Sequence, residues 1–264
     1  MRVGSPKEIT YSNIYKHLNK QNMNNIPKWK DDRLNVLIPM AGDGKRFELA
    51  GYVKPKPFIE VKGKKMIEIV MENITPSDVN KIILITRKHH NCKEELISTE
   101  KLNLLELIEL DSPTEGSLQT ILHAEEYIKD CELILANCDQ KIIFDVNEFV
   151  DKCRNFDGGL ITFNSANPHH SYVCVDSSDI ITTIIEKEVI SNIAVAGVYY
   201  FKNASDFIKA SKKIIDSNIR QKGEFYVSSA LKLMIEDGIK LKAYDAQSIM
   251  LGTPEELKNN IDLI

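Results

Sequence analysis

From Leu34 onward, short apolar runs alternate with segments of helical spacing. Leu34–Pro39 is a continuous apolar run bounded by a glycine-rich loop, as suits a buried parallel strand. Met66–Asn73 sets Met66, Ile69, Val70 and Asn73 on one side of a helix. Lys81–Thr86 carries Ile82, Ile83, Leu84 and Ile85 and reads as a second buried strand. A polar helix is predicted over Lys88–Ser98, a strand over Leu104–Leu110, a helix over Ser117–Ile128 and a strand over Glu132–Ala136. Strand and helix alternate at the spacing of βαβ units. The expected class is α/β, Rossmann-like, with a mostly parallel or mixed central sheet and helices on both faces.

The character changes after Gly158. Gly159–Asn164, Tyr172–Asp176, Ile180–Glu186 and Ala194–Phe201 are strand-like runs with few helices between them, which predicts an antiparallel or mixed extension. Helices follow near Ala204–Ser217 and Val227–Glu236, then a strand at Leu241–Asp245 and a terminal helix after Pro254. Thr253 is placed to cap that helix, with Glu255 and Glu256 favourable to its dipole. These elements read as one domain, residues 34–264. Residues 1–33 are rich in Asn and Lys and read as an appended tail with one short helix near Ser12–Asn19. Ile9, Ile14, Tyr15 and Leu18 there could form an apolar face that aids homo-oligomer assembly, and Trp29 could pin the tail to the body.

Charge narrows the function. The 34 Lys and Arg against 38 Asp and Glu give a net charge of −4, without the basic surplus usual in a nucleic-acid binder. No apolar run approaches the roughly 20 residues that cross a bilayer, and Met1–Lys20 has no apolar core like that of a signal peptide. The five cysteines are scattered without a Cys-x-x-Cys pair. Buried, inert thiols and a cytoplasmic location fit that pattern.

The chemistry concentrates in Met40-Ala41-Gly42-Asp43-Gly44-Lys45-Arg46-Phe47 and in Pro55-Lys56-Pro57. Two glycines one residue apart after a strand let backbone N–H groups close on phosphate oxygens. Arg46 can hold a phosphate bidentately, and Lys56 supplies a point charge. A P-loop fails here, because Pro39 stands at the first glycine position and Arg46 follows Gly44-Lys45. A dinucleotide fingerprint fails too, with Phe47 at its third glycine. Strand neighbours face opposite sides, so neither His89-His90 nor His169-His170 chelates a metal easily, and both pairs read as surface residues.

The glycine loop with Arg46, the Pro55-Lys56-Pro57 stretch and Lys64-Lys65-Met66-Ile67 resemble the nucleotidyltransferases that form nucleotide sugars, over about Leu34–Leu257. The Pro39-Met40 start and Gly51-Tyr52 look most like the branch found in capsule-polysaccharide gene clusters. The resemblance implies a GT-A-like fold and transfer of a nucleoside monophosphate from an NTP to a small phosphorylated acceptor. It implies Arg46 on the triphosphate and the leaving pyrophosphate, and Lys56 on the α-phosphate and acceptor phosphate. Met40, Ala41, Gly42, Gly44 and Asn137 join the nucleotide site, with Glu115 and Gly116 near the base. Asp139 is the implied Mg²⁺ ligand. Glu186, Lys187, Gly197 and Glu224 are implied on the acceptor side.

Two residues depart from the family pattern. Lys45 replaces a small hydroxyl residue, and Met250 stands where many members carry a second carboxylate for the metal. The capsule-type resemblance favours CTP or another pyrimidine nucleotide, with a sugar 1-phosphate as acceptor. A non-sugar acceptor such as phosphoglutamine is the alternative. A metal-dependent glycosyltransferase would want Asp-x-Asp, of which Asn137-Cys138-Asp139 supplies half. A nucleotide-sensing homologue without catalysis is favoured only by Met250.

Overall fold

The apolar run that opens the regular part of the chain forms strand β1 (Leu34–Pro39), buried along its length up to a half-buried Pro39. A strand covered by helices on both sides has no solvent face, so it needs no alternation of polar residues. The computed structural model describes residues 34–264. The expected helix at Ser12–Asn19, the tail boundary at residue 33 and the placement of Trp29 lie outside the described residues.

After β1 come a short helix (Lys45–Leu49), a hairpin of β2 (Glu60–Val61) and β3 (Lys64–Lys65), and the helix Met66–Ile74. Strands β4 (Val79–Arg87), β5 (Leu105–Leu110), β6 (Glu132–Ala136) and β7 (Gln140–Ile143) follow. The second half holds β8 (Gly158–Asn164), β9 (Ser171–Val175), β10 (Ile181–Glu186) and β11 (Ile193–Phe201). The helices Ala204–Asp216 and Val227–Glu236, strands β12 (Leu241–Asp245) and β13 (Gln247–Met250), and the helix Pro254–Asn260 complete the order.

The central sheet has nine strands. Seven run in the order β10-β9-β11-β6-β1-β4-β5, while β8 joins the sheet on β11 and carries β12. Strands β6, β1, β4 and β5 are mutually parallel, and β11 lies antiparallel to β6. The expected mixed α/β sheet with an antiparallel extension after Gly158 is therefore observed. Alternate side chains feed two cores. Leu37, Ile83, Ile85, Leu133 and Leu135 face the cluster that also takes in side chains of Ala204–Asp216 and Val227–Glu236. Val36, Ile38, Ile82, Leu84 and Ile134 face the other, which takes in side chains of Met66–Ile74. This is the two-residue period of a strand applied to apolar runs.

The strand order reverses at β1. The chain leaves β1 for β4 and β5 on one side and returns through β6 on the other. The loops after β1 and β6 diverge there, which opens a crevice at the carboxyl ends of the strands.

Several expectations are corrected. The helix expected over Lys88–Ser98 is a single turn at Lys88–His90 and a four-residue helix Cys92–Glu95, because Asn91 between them is left-handed at φ 48°. The helix expected over Ser117–Ile128 breaks into Ser117–Leu122 and Glu125–Ile128, where a tight turn buries Ala124. Strands β7 and β13 and the helix Val146–Cys153 were not expected. That helix does carry a legible signal: Asp145 caps the N–H groups of Asn147 (2.8 Å) and Glu148 (3.1 Å), and Val146, Phe149, Val150 and Cys153 recur at helical spacing. The terminal helix begins as expected, with the Thr253 hydroxyl accepting from Glu256 N at 3.1 Å.

Candidate active site

The floor of the crevice is the loop after β1. Met40 and Ala41 are buried, and Met40 N–H continues the ladder by donating to Ile85 O at 2.8 Å. Gly44 is left-handed at φ 64°, and a Cβ there would sit 3.2 Å from the Cβ of Lys56. Glycine thus permits both the turn and the close packing of the second cationic segment. Gly44 O then starts the helix Lys45–Leu49, accepting from Phe47 N at 2.9 Å, and leaves Arg46 exposed in the cleft.

Lys56 is held by its flanking prolines in a single turn, Lys56–Phe58, anchored by the fully buried Phe58. Its ammonium meets the Asp139 carboxylate, and the two side chains are only 20% and 16% exposed. Burial opposes the lysine charge. The Asp139 carboxylate outweighs that penalty and holds the Lys56 pKa well above its usual value. Asp139 is fixed through its backbone, where its carbonyl accepts from Leu251 N at 2.8 Å. Asn137 N donates to Gly197 O at 2.9 Å, and Gly197, at φ 83°, has no Cβ to meet the Asn137 side chain.

One wall joins two distant loops. Phe225 N donates to Glu115 O at 3.0 Å and Leu118 N to Phe225 O at 3.1 Å. The Glu115 side chain takes a hydrogen bond from Arg220 Nη2 at 2.9 Å, and Arg220 lies over the Phe225 ring. On the opposite side, Glu186 is an 8% exposed carboxylate. Its Oε2 accepts from Ser171 Oγ at 2.5 Å and Ser228 Oγ at 2.8 Å. Lys187 Nζ lies 4.0 Å from Glu186 Oε1, and both side chains are largely buried. The Lys187 ammonium also bonds the Tyr226 hydroxyl and lies 4.3 Å from that ring's centroid.

These walls enclose one cleft of about 830 Å³. Arg46, Lys56, Met40, Ala41, Gly42, Gly44, Glu115, Gly116, Asn137, Asp139, Glu186, Gly197 and Glu224 all line it. Lys187 does not, and meets its lining through Tyr226 and, at 4.0 Å, through Glu186 Oε1. Sequence reasoning missed Ser171, Arg220 and Ser228, isolated polar residues with no motif around them. The surface reading holds for the exposed His89 and His169 and is corrected for His90 and for the half-buried His170. His90 is buried, its Nδ1 3.2 Å from Thr86 Oγ1. His169 and His170 line the cleft, and burial lowers the His170 pKa. Four of the five cysteines behave as expected: Cys92, Cys131, Cys138 and Cys153 are buried free thiols, and burial pushes Cys138 up to about 11, while Cys174 is only half-buried.

Among the described residues, no cluster of three or more His, Cys, Asp and Glu side chains is arranged to hold a metal. Asp139 nonetheless suits a hard cation shared with substrate. Its Oδ2 takes the Lys56 ammonium, and glycine at 252 keeps room beside the carboxylate, because a Cβ there would lie 2.8 Å from that oxygen. Mg²⁺ often binds through one or two carboxylates plus phosphate oxygens. Met250 lines the same cleft and offers no oxygen. No helix among the described residues is long and apolar enough to cross a membrane.

A family model described as nucleotidyl transferase matches residues 36–250. The bifunctional protein GlmU of Methanococcus maripaludis is 31% identical over 221 residues, 80% of this chain and 50% of that protein. A bifunctional sugar-1-phosphate nucleotidylyltransferase/acetyltransferase of Sulfurisphaera tokodaii is 25% identical over 225 residues, 84% of this chain and 53% of that one. The chain spans about half the length of these curated relatives. In fold it is similar to the nucleoside-diphosphate-sugar pyrophosphorylase of Vibrio cholerae, with a TM-score of 0.73 at 22% identity over 86% of this chain and 99% of that one.

Proposed function

The chain belongs to the nucleotidyl transferase family, and from that premise we propose that it transfers a nucleoside monophosphate from an NTP to a sugar 1-phosphate. The observation that carries the proposal is the meeting of Lys56 and Asp139, with Arg46 beside them, at the point where the strand order reverses. A cation and a carboxylate there suit a triphosphate whose α-phosphorus is to be attacked.

An oxygen of the acceptor phosphate attacks the α-phosphorus in line. The bond from that phosphorus to the bridging oxygen breaks, and pyrophosphate leaves. The nucleophile is already an anion, so no general base is needed, and catalysis consists of positioning and charge neutralisation. Lys56 would neutralise the α-phosphate and the incoming phosphate. Arg46, more exposed, would hold the β- and γ-phosphates. Asp139 would hold Mg²⁺ with substrate phosphates, and when bound the ion supplies further neutralisation of the triphosphate. The pairing of Glu115 with Arg220 supports a base site on the Glu115-Gly116 wall. Glu186, with two serine hydroxyls on Oε2, would offer its other oxygen, 4.0 Å from Lys187 Nζ, to an acceptor hydroxyl.

The donor is read as CTP or another pyrimidine NTP, serving capsule or surface-polysaccharide precursor synthesis, because the glycine-loop segment resembles that branch. A sugar 1-phosphate is preferred to phosphoglutamine because the Sulfurisphaera relative is named for sugar-1-phosphate transfer. Pyrophosphate release should be measured with each of the four common NTPs against sugar 1-phosphates and phosphoglutamine. Release with one pyrimidine NTP and a sugar 1-phosphate is expected. No release with any pair would overturn the proposal.

A further inference from the structure

Arg87 ends β4 beside the glycine loop, and only 8% of it is exposed. Burying a guanidinium is costly unless its donors are paired. Its Nη1 donates to Asp43 Oδ1 at 3.2 Å, and its Nη2 makes a long contact with Asp111 O at 3.5 Å. Its Nε is buried with no partner. The Asp111 carboxylate pairs with Lys88 Nζ at 2.6 Å, and Asp111 meets Arg87 only through its carbonyl. Asp43 is therefore the one carboxylate paired with Arg87 among the described residues.

Asp43 is the single acidic residue between Met40 and Phe47. It lines the cleft with its side chain 41% exposed, between the two glycines of the loop. An anion there opposes the binding of a polyphosphate. Two cations answer it: Arg87 from inside the fold, and Lys45 from solvent with its Nζ 3.7 Å from Oδ2. Lys45 is 77% exposed, so water and salt screen its contribution. Arg87 is shielded from both.

We propose that Arg87 is a positioning residue for the polyphosphate site: it acts through Asp43, holding that carboxylate neutralised and turned to the wall so that the glycine loop accepts the phosphates. The inference rests on the nucleotidyl-transfer reading of the cleft. It assigns Arg87 no contact with substrate, since Arg87 does not line the cleft.

The test uses magnesium pyrophosphate as the probe, so that no nucleobase enters the measurement. Its affinity is measured by calorimetry for the full chain and for R87L, R87K, D43N and the R87L/D43N double variant, each with a thermal melt. R87L should bind about tenfold more weakly, the scale of one uncompensated charge near a phosphate group. R87K should retain most of the affinity. The double variant should return to near the wild-type value, because removing the carboxylate removes what Arg87 neutralises. D43N alone should bind at least as tightly as wild type. A double variant as weak as R87L would overturn the inference, since Arg87 would then act by packing alone. So would an R87L protein with unchanged affinity. If R87L does not fold, D43N decides alone: binding tenfold weaker than wild type overturns the inference. Wild-type protein that binds neither pyrophosphate nor any of the four NTPs would instead overturn the reading of the cleft, and this inference with it.

Discussion

Lys56 and Asp139 lie 83 positions apart in the chain and meet as a largely buried ion pair at the carboxyl ends of β1 and β6. Each side chain prepares the other. Without Asp139 the Lys56 ammonium would be buried unpaired, and without Lys56 the carboxylate would be. Asp139→Asn should therefore raise the Mg²⁺ concentration needed for half-maximal rate by about tenfold or more, the scale of one lost metal-supporting group. Titrating Mg²⁺ against pyrophosphate release checks this. An unchanged titration would move the metal site elsewhere.

Arg46 stands at the end of the glycine loop, exposed in the same cleft. Its proposed role is charge stabilisation, so Arg46→Ala should lower turnover by about a hundredfold, as for loss of one transition-state contact. The exposed side chain packs little core, so the melting temperature should hold. Wild-type turnover in the folded variant would remove Arg46 from the mechanism.

Legibility followed the range of the interaction. β1, β6 and the helix Val227–Glu236 were readable to the residue because local apolar patterns define them. The glycine loop, Arg46 and Lys56 were readable because close approach to phosphate constrains neighbouring residues. β7 and β13 were not, because they pair only with each other, about a hundred positions apart, and neither has a distinctive pattern. The Lys88–Ser98 helix failed for a local reason, since nothing in the polar pattern marks Asn91 as left-handed. Ser171 and Ser228 matter only because Glu186 lies between them in space, and Arg87, just past the expected strand Lys81–Thr86, has nothing to mark it until Asp43 is seen beside it.

Gly116 joins the proposed base wall to the Phe225 loop. Its φ is 143°, and a Cβ there would lie 2.4 Å from Phe225 O and 2.5 Å from Phe225 N. These are backbone atoms of Phe225, so no flexible group can move aside. Gly116→Ala should destabilise the fold by about 2 kcal/mol, within the range for an enforced strained backbone. It should also raise the KM for NTP, because Glu115 and Arg220 must separate. Thermal melts and initial rates test both parts, and an NTP KM left unchanged in a destabilised protein would detach this wall from nucleotide binding.

His90 offers a test through pH. Its ring is buried between Thr86, whose hydroxyl is 3.2 Å from Nδ1, and Phe58, met edge to face at 6.3 Å. Burial lowers its pKa from 6.5 to about 4; the neighbouring His89 and Arg87 add to the shift, and Asp43 opposes it. The unfolded chain therefore binds a proton at His90 between about pH 6.5 and 4, where the folded chain does not. Stability from this residue is fully present above pH 6.5 and is lost as pH falls through that window. The loss is on the order of 2 kcal/mol, since one pKa unit corresponds to about 1.4 kcal/mol and residual solvent reduces the full value. His90→Gln removes the titration and leaves the Thr86 hydroxyl a polar neighbour. Denaturant melts of both proteins at pH 7.5, 6, 5 and 4.5 would then show a shallower decline in the variant. Parallel declines would mean that His90 charges in the folded state near its ordinary pKa, and that the end of β4 admits water beside the glycine loop.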